Sequence, residues 1–284
     1  MVESKRVDLN GVHTAELDML KAVAELCEKH HIRYTLYCGT LLGAVRHGGF
    51  IPWDDDVDLA MPLKDYRRFQ AVAYELPSRF VCSHLDNREN HYCLWTRITA
   101  EGTTAMSPEE ARISGLHWGL FLDIYPFIGA FKTAFGIKLQ SALLHTAQRF
   151  RRVVYYRACD DRGMVKEFLY HIPASLRRAL SNALLKIAVR DPEQCERIGT
   201  IDAMPFDGKF LRDDWLHMTK LKFEDSEFRA PEKYDKILRV MYGDYMQLPP
   251  VECRQGHVLN DGRGARIMDP HRDFREYQRE ILGS

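Results

Sequence analysis

The sequence predicts an α+β protein, with a mixed sheet, flanking helices and a helical subdomain. Three observations carry this. Runs rich in β-branched and aromatic residues (33–38, 79–84, 92–98 and 120–125) intermingle with stretches of helical period. With 284 residues, 45% of them hydrophobic, the chain can bury a large core, and it contains no internal repeat or low-complexity tract. After Gly136 the strand-like runs give way to two long helical patterns.

Taken in order, the first helix covers 14–31, where Leu17, Leu20, Ala24 and Cys27 share one stripe. "RYTLYC" (33–38) reads as a strand, and "GTLLGAVRHGG" as a short helix closed by glycines. "DVDLAM" (56–61) alternates acids with apolar residues, a strand with one polar face, and Pro62 opens an amphipathic helix over 63–76. Strands follow at 79–84, 92–98 and 120–125. Leu139, Leu143, Ala147, Phe150 and Val154 then mark the core stripe of one helix; Leu176, Leu180, Leu184 and Ile187 mark that of a second, from about 174 to 189. A strand or turn, a helix from about 232 to 241 and a Pro-terminated loop come next, and the last thirty residues have no clear period.

Forty basic and forty acidic residues cancel, which gives no reason to expect a nucleic-acid partner. The balance hides an asymmetry. Residues 132–190 hold twelve Lys and Arg against three acids, a net +9, so the remainder carries −9. Such a segment favours anionic company. The seven cysteines are odd in number, form no CxxC pair and are never closer than eleven positions, as in a reducing compartment. The N-terminus lacks an apolar leader and no run approaches eighteen apolar residues, so a cytoplasmic location is expected, with any membrane contact peripheral.

Chemistry concentrates in "GTLLGAVRHGGFIPWDDDVDLAMP", 39–62. On a strand, Asp56 and Asp58 project to one face about 6.6 Å apart, a spacing that can close on a divalent ion. Like charges held so close are unfavourable without a cation. Asp54, Asp56 and Asp58 mimic the start of a calcium loop, but Leu59 stands where that turn needs glycine, which excludes an EF-hand. Gly39 and Thr40, between a strand and a helix, make an anion cradle from backbone N–H groups and a hydroxyl. Asp123 stands alone in the apolar "GLFLDIYPF" and needs a partner. This order matches nucleotidyltransferases: helix-opening G[S/T], two carboxylates on the next strand, a third on a later one.

The stretch 32–62, with "HWGLFLDIYPF" (117–127) and "YGDYMQLPPVECRQGH" (242–257), resembles the LicD family of phosphocholine transferases, to which fukutin and fukutin-related ribitol-phosphate transferases are similar. The resemblance implies a nucleotidyltransferase-like core at 1–131, a basic helical subdomain or insertion at 132–200 and a C-terminal segment, 201–284, that completes the active site. It implies Mg²⁺ or Mn²⁺ on Asp56, Asp58 and Asp123, with Asp123 also serving as base. Phosphate contact falls to Gly39, Thr40 and Arg46, with Arg97 within reach of the donor and Arg254 and His257 contributing from the C-terminus. Cys253 with His257 could form a fragment of a metal site. His117 is a candidate for orienting the acceptor, and Trp53, Trp95, Trp118 and Tyr125 offer aromatic faces suited to a quaternary ammonium. The activity implied is transfer of a phosphoalkyl group, phosphocholine from CDP-choline, to a hydroxyl of a cell-surface glycan, lipid-linked glycopolymer or teichoic-acid-type acceptor, releasing CMP. A DxD nucleotide-sugar glycosyltransferase and a non-catalytic binding protein of the same fold are the alternatives. The +9 segment predicts peripheral contact with an anionic membrane through Arg149, Arg151, Arg152, Arg157, Arg177 and Arg178.

Overall fold

The computed structural model describes residues 7–161, 163–201, 206–256 and 266–283. The first helix, α1 (Leu9–Lys29), starts earlier than its apolar pattern suggested, because the Asp8 carboxylate accepts the Gly11 N–H at 3.1 Å and caps it. There follow β1 (Thr35–Leu36), α2 (Cys38–Arg46), β2 (Val57–Pro62), α3 (Leu63–Val72), β3 (Phe80–Ser83), β4 (Thr96–Ala100), β5 (Thr104–Met106) and β6 (Phe121–Gly129). Three helices come next: α4 (Ala134–Ala158), α5 (Met164–His171) and α6 (Ala174–Ala188). The chain ends with β7 (Arg197–Thr200), β8 (Phe210–Leu211), α7 (Arg212–Leu216), β9 (Met218–Phe223), β10 (Ser226–Pro231), α8 (Tyr234–Tyr242), β11 (Ile267–Asp269) and α9 (Phe274–Leu282).

The main sheet has the order β1-β2-β6-β4-β3, with β7 joined to the far end of β6 and β8 to β7. β2 and β6 run parallel; the other pairs are antiparallel. A parallel pair needs a long connection, and the stretch from α3 to β5 supplies it. α2 and α3 pack on β2, while α1 and α3 pack on β6, so both strands are covered on two faces. This explains why every residue of β6 is buried and why β2, expected to show a polar face, buries Val57 to Met61 including Asp58. β1 shrinks to two residues because Cys38, at φ +44°, turns the chain at once into α2.

The helical segment corrects two expectations. On α4 the inward stripe is Gln140, Leu144, Ala147 and Arg151, leaving Leu139 exposed; on α6 the inward residues are Arg177, Ser181 and Ala188, leaving Leu176, Leu180 and Ile187 exposed. The reason is a polar seam in which most groups find partners, Arg151 Nη1 excepted. Gln140 Nε2 donates to the Gly129 and Ala188 carbonyls at 2.8 Å each, and Ser181 Oγ donates to the Ala147 carbonyl at 3.0 Å. Arg151 donates to Ser181 Oγ at 3.3 Å and to Asn182 Oδ1 at 2.6 Å. Arg177 donates to the Leu169 and Ile172 carbonyls, Arg157 to that of Tyr170, and Arg178 pairs with Glu89. Four of the six arginines expected to make a basic surface are thus engaged within the fold. Among the described residues, no helix is long and apolar enough to cross a membrane.

Candidate active site

Register sets a row of charges across the sheet. Asp58 of β2 lies opposite Asp123 of β6, and Asp123 lies opposite Arg97 of β4. Paired positions share a face, so the three side chains are neighbours. Arg97 closes a fork on Asp123, with Nε to Oδ1 at 2.8 Å and Nη2 to Oδ2 at 2.7 Å, and its guanidinium lies 3.8 Å from the Phe121 ring centroid. Burial alone would depress the Arg97 pKa; Asp123 outweighs it and holds the group well above its ordinary value.

α2 points its first turn at the same region. Tyr37, which precedes it, offers no side-chain cap, its hydroxyl being hydrogen-bonded with Thr200 Oγ1 at 2.7 Å. A Cβ at position 39 would stand 2.5 Å from Asp54 Oδ2. Glycine therefore lets that carboxylate lie against the positive end of the helix, as the macrodipole favours. Thr40, buried, accepts the Asp58 N–H at 2.8 Å; its hydroxyl fastens α2 to β2 and keeps its own proton to donate.

Sequence reasoning missed the tightest acid cluster. Asp54, Asp55 and Asp56 each offer an oxygen within 4.8 Å of the others. The alternating strand expected from Asp56 onward begins instead at Val57, and the Asp54 N–H donates to the Ile51 carbonyl at 2.9 Å in the turn before it. Glu16 was missed as well. It is fully buried on α1 and neither of its carboxyl oxygens has a hydrogen-bond partner. Burial first, then Asp56, Asp54, Asp55 and Asp58, push its pKa well up. The available signal was its position four residues after Val12 and three before Met19, inside the buried stripe. An all-oxygen set with an orphaned buried carboxyl fits a hard divalent cation such as Mg²⁺ or Mn²⁺.

Cationic side chains stand beside the acids. Arg46 ends α2 and donates to the Tyr245 carbonyl at 2.8 Å. Burial and then Arg254 lower its pKa, while Asp54 acts in the opposite direction. Arg254 donates to the Pro249 carbonyl at 2.9 Å and lies 5.4 Å from the Trp53 ring centroid. Gly256 sits where a Cβ would be 2.2 Å from Asp55 Oδ2, so the C-terminal segment reaches the acids. His257 lies outside the described residues, and Cys253 is exposed.

A cleft of about 480 Å³ opens here, lined by Gly39, Asp54, Asp58, Trp95, Tyr125 and Tyr242 among others. The Trp95 and Tyr125 rings are 5.1 Å apart and tilted by 44°. Two residues singled out from sequence lie elsewhere. Trp118 belongs to a separate apolar cluster with Tyr92 and Phe274. His117 places Nε2 3.1 Å from Glu101 and its ring 4.6 Å from that of Phe274.

A mixed sheet with acids at matched positions of a parallel pair, entered from a glycine-opened helix, defines the nucleotidyltransferase-like class. Within that class, residues 31–151 match the family model described as "LicD/FKTN/FKRP, nucleotidyltransferase domain". It is 27% identical over 278 residues to the lipopolysaccharide cholinephosphotransferase LicD of Haemophilus influenzae, covering 90% of this chain and 98% of that protein. A 43-residue stretch is 54% identical to the ribitol 5-phosphate transferase FKRP of Homo sapiens, and equally to that of Mus musculus, covering 15% of this chain and 9% of those proteins.

Proposed function

We propose that this chain is a metal-dependent phosphotransferase that moves phosphocholine from CDP-choline to a hydroxyl of a cell-surface glycan or its lipid-linked precursor, releasing CMP. The observation that carries the reading is the cleft itself, in which the α2 N-terminus, Asp54 and Asp58 meet the rings of Trp95, Tyr125 and Tyr242. Anion-binding backbone and carboxylates suit a cation-bridged diphosphate. Aromatic faces suit a trimethylammonium group. The name of the Haemophilus relative, which spans nearly the whole chain, agrees with a choline group.

In the reaction the acceptor oxygen attacks the phosphorus that carries choline. The bond from that phosphorus to the CMP oxygen breaks, and CMP leaves with the electron pair. The hydroxyl proton passes to a carboxylate of the Asp58–Asp123 pair. Arg46 and Arg254 balance charge on the departing phosphate, and Thr40 holds α2 in register with β2. Asp54, Asp55, Asp56 and Asp58 would hold Mg²⁺ or Mn²⁺, which would neutralise the diphosphate.

The test offers CDP-choline, CDP-ribitol and CDP-glycerol, and separately a panel of nucleotide sugars, with Mg²⁺ or Mn²⁺ and an isolated glycan acceptor. CMP release with phosphocholine on the acceptor is expected, abolished in folded Asp58→Asn and Asp123→Asn. UDP release from a nucleotide sugar, or near wild-type turnover in Asp58→Asn, would overturn it.

A further inference from the structure

Exposed apolar side chains gather on the helical segment. Of the fifteen large hydrophobic residues exposed among those described, eight fall between Phe135 and Ile187, less than a fifth of the chain. Concentration of this kind marks an interaction surface. On α6, Leu176, Leu180 and Ile187 are 49%, 38% and 58% exposed, and Ala183 is exposed beside them. At 100° per residue these four fall within about 60° of arc, a continuous stripe centred about 110° round the helix from the inward residues Arg177, Ser181 and Ala188. α5 adds Met164, Val165 and Phe168, all exposed.

The charges around the stripe choose its partner. Neither α4 nor α6 contains an acid; Lys186 is exposed on α6, and Arg190, exposed just past its end, holds its guanidinium 4.9 Å from the Phe131 ring centroid. The acids of the segment are confined to Asp160, Asp161 and Glu167, and Asp161 is paired with Lys166. Two copies meeting on this face would bring two +9 segments together, which opposes self-association. An apolar helix stripe bordered by Lys and Arg has the pattern of helices that lie in the headgroup region of an anionic bilayer.

We infer that the outer face of α6, continued by α5, docks the protein on a membrane surface bearing anionic lipid, with Leu176, Leu180 and Ile187 entering the headgroup boundary and Lys186 and Arg190 contacting the lipid phosphates. This surface is independent of the reaction assigned to the cleft. It also differs from the basic patch the sequence suggested, since Arg151 and Arg177 are buried and Arg157 and Arg178 are engaged within the fold.

The test is flotation of the full chain with phosphatidylcholine vesicles, with and without about one-third phosphatidylglycerol. Binding to the anionic vesicles alone, weakened by salt, is expected. Each basic group near such a surface is worth about fivefold, so Lys186→Gln with Arg190→Gln should lower the partition on the order of thirtyfold. Leu180→Glu with Ile187→Glu should abolish binding; both sites are exposed, so the thermal melt should hold. Equal binding to neutral vesicles, no binding, or indifference to Leu180→Glu with Ile187→Glu would overturn the inference. So would a dimer in sedimentation equilibrium that the same pair dissolves, because the face would then belong to a second copy.

Discussion

Arg97→Met is the most exacting probe of the charged row. Asp58 and Asp123 occupy directly paired positions of a parallel ladder, where strands are about 4.8 Å apart. Two carboxylates at that separation repel by roughly 3.5 kcal/mol at an effective dielectric of 20. In the wild type, Arg97 answers Asp123 with two hydrogen bonds. Methionine keeps the bulk over Phe121 and removes the charge, and deleting one partner of a buried pair generally costs about 3–5 kcal/mol. The two routes agree. At about 2–4 °C per kcal/mol, the melting temperature should fall by roughly 10 °C. The assay is urea and thermal unfolding of Arg97→Met, Asp123→Leu and the double variant without divalent cation. The double variant should recover most of the loss, and Mn²⁺ should restore part of it in Arg97→Met alone. A cost below about 1 kcal/mol, or additive effects across the cycle, would refute the coupling.

Other outcomes follow from single positions. Gly39→Ala should improve helix propensity by about 1 kcal/mol, yet displace Asp54 and lower Mn²⁺ affinity about tenfold by calorimetry; unchanged affinity would mean that Asp54 is not part of the cation site. His91, buried, has its pKa lowered to about 4 by burial, so between pH 6.5 and 4 the unfolded chain takes up a proton that the folded one refuses. Stability should fall across that window by up to about 3 kcal/mol, and His91→Gln should flatten the loss in urea titrations at pH 4.5 and 7. Glu16 has the opposite sign: its raised pKa makes the cation-free fold lose stability as pH rises above the ordinary carboxyl value. Glu16→Gln should remove that slope, raise the cation-free melting temperature at pH 7 and weaken Mn²⁺ binding about tenfold; a lower melting temperature would argue against an unpartnered carboxyl.

Patterns resting on local chemistry were legible in the sequence. The glycine-opened helix, the strand carrying Asp58 and the strand carrying Asp123 all stand where the residues indicated, because turn residues and long apolar runs constrain the backbone by themselves. What was not legible depends on the partners of each element. Leu176, Leu180 and Ile187 have ideal core spacing, but α6 turns them outward because its inner side bonds to α4 through Gln140 on the Ala188 carbonyl, Arg151 on Ser181 and Ser181 on the Ala147 carbonyl. Arg97 was expected within reach of the donor, but its fork on Asp123 depends on a register between strands more than twenty residues apart. Glu16 became significant only once α1 was packed beside the turn at 54–56.

That packing has a consequence for binding order. The donor diphosphate must enter beside Asp54 and Asp58, with Glu16, Asp55 and Asp56 buried behind them. Arg46 and Arg254 are not enough to reverse the sign of that field, being two cations against four aspartates. A divalent ion bound without the diphosphate lacks ligands on its open side, and a diphosphate without the ion meets like charge. Donor and cation should therefore bind with positive cooperativity. Coupling between such sites is typically 1–3 kcal/mol, or about 5- to 150-fold, and must be equal in both directions. Calorimetric titration of Mn²⁺ with and without saturating CDP, and of CDP with and without Mn²⁺, should return the same factor. Arg46→Ala and Arg254→Ala should weaken CDP in both conditions while leaving that factor nearly unchanged, since their charges do not depend on the ion. A factor near one would mean that the acids hold their cation without the donor, and the metal would then belong to the fold rather than to the reaction.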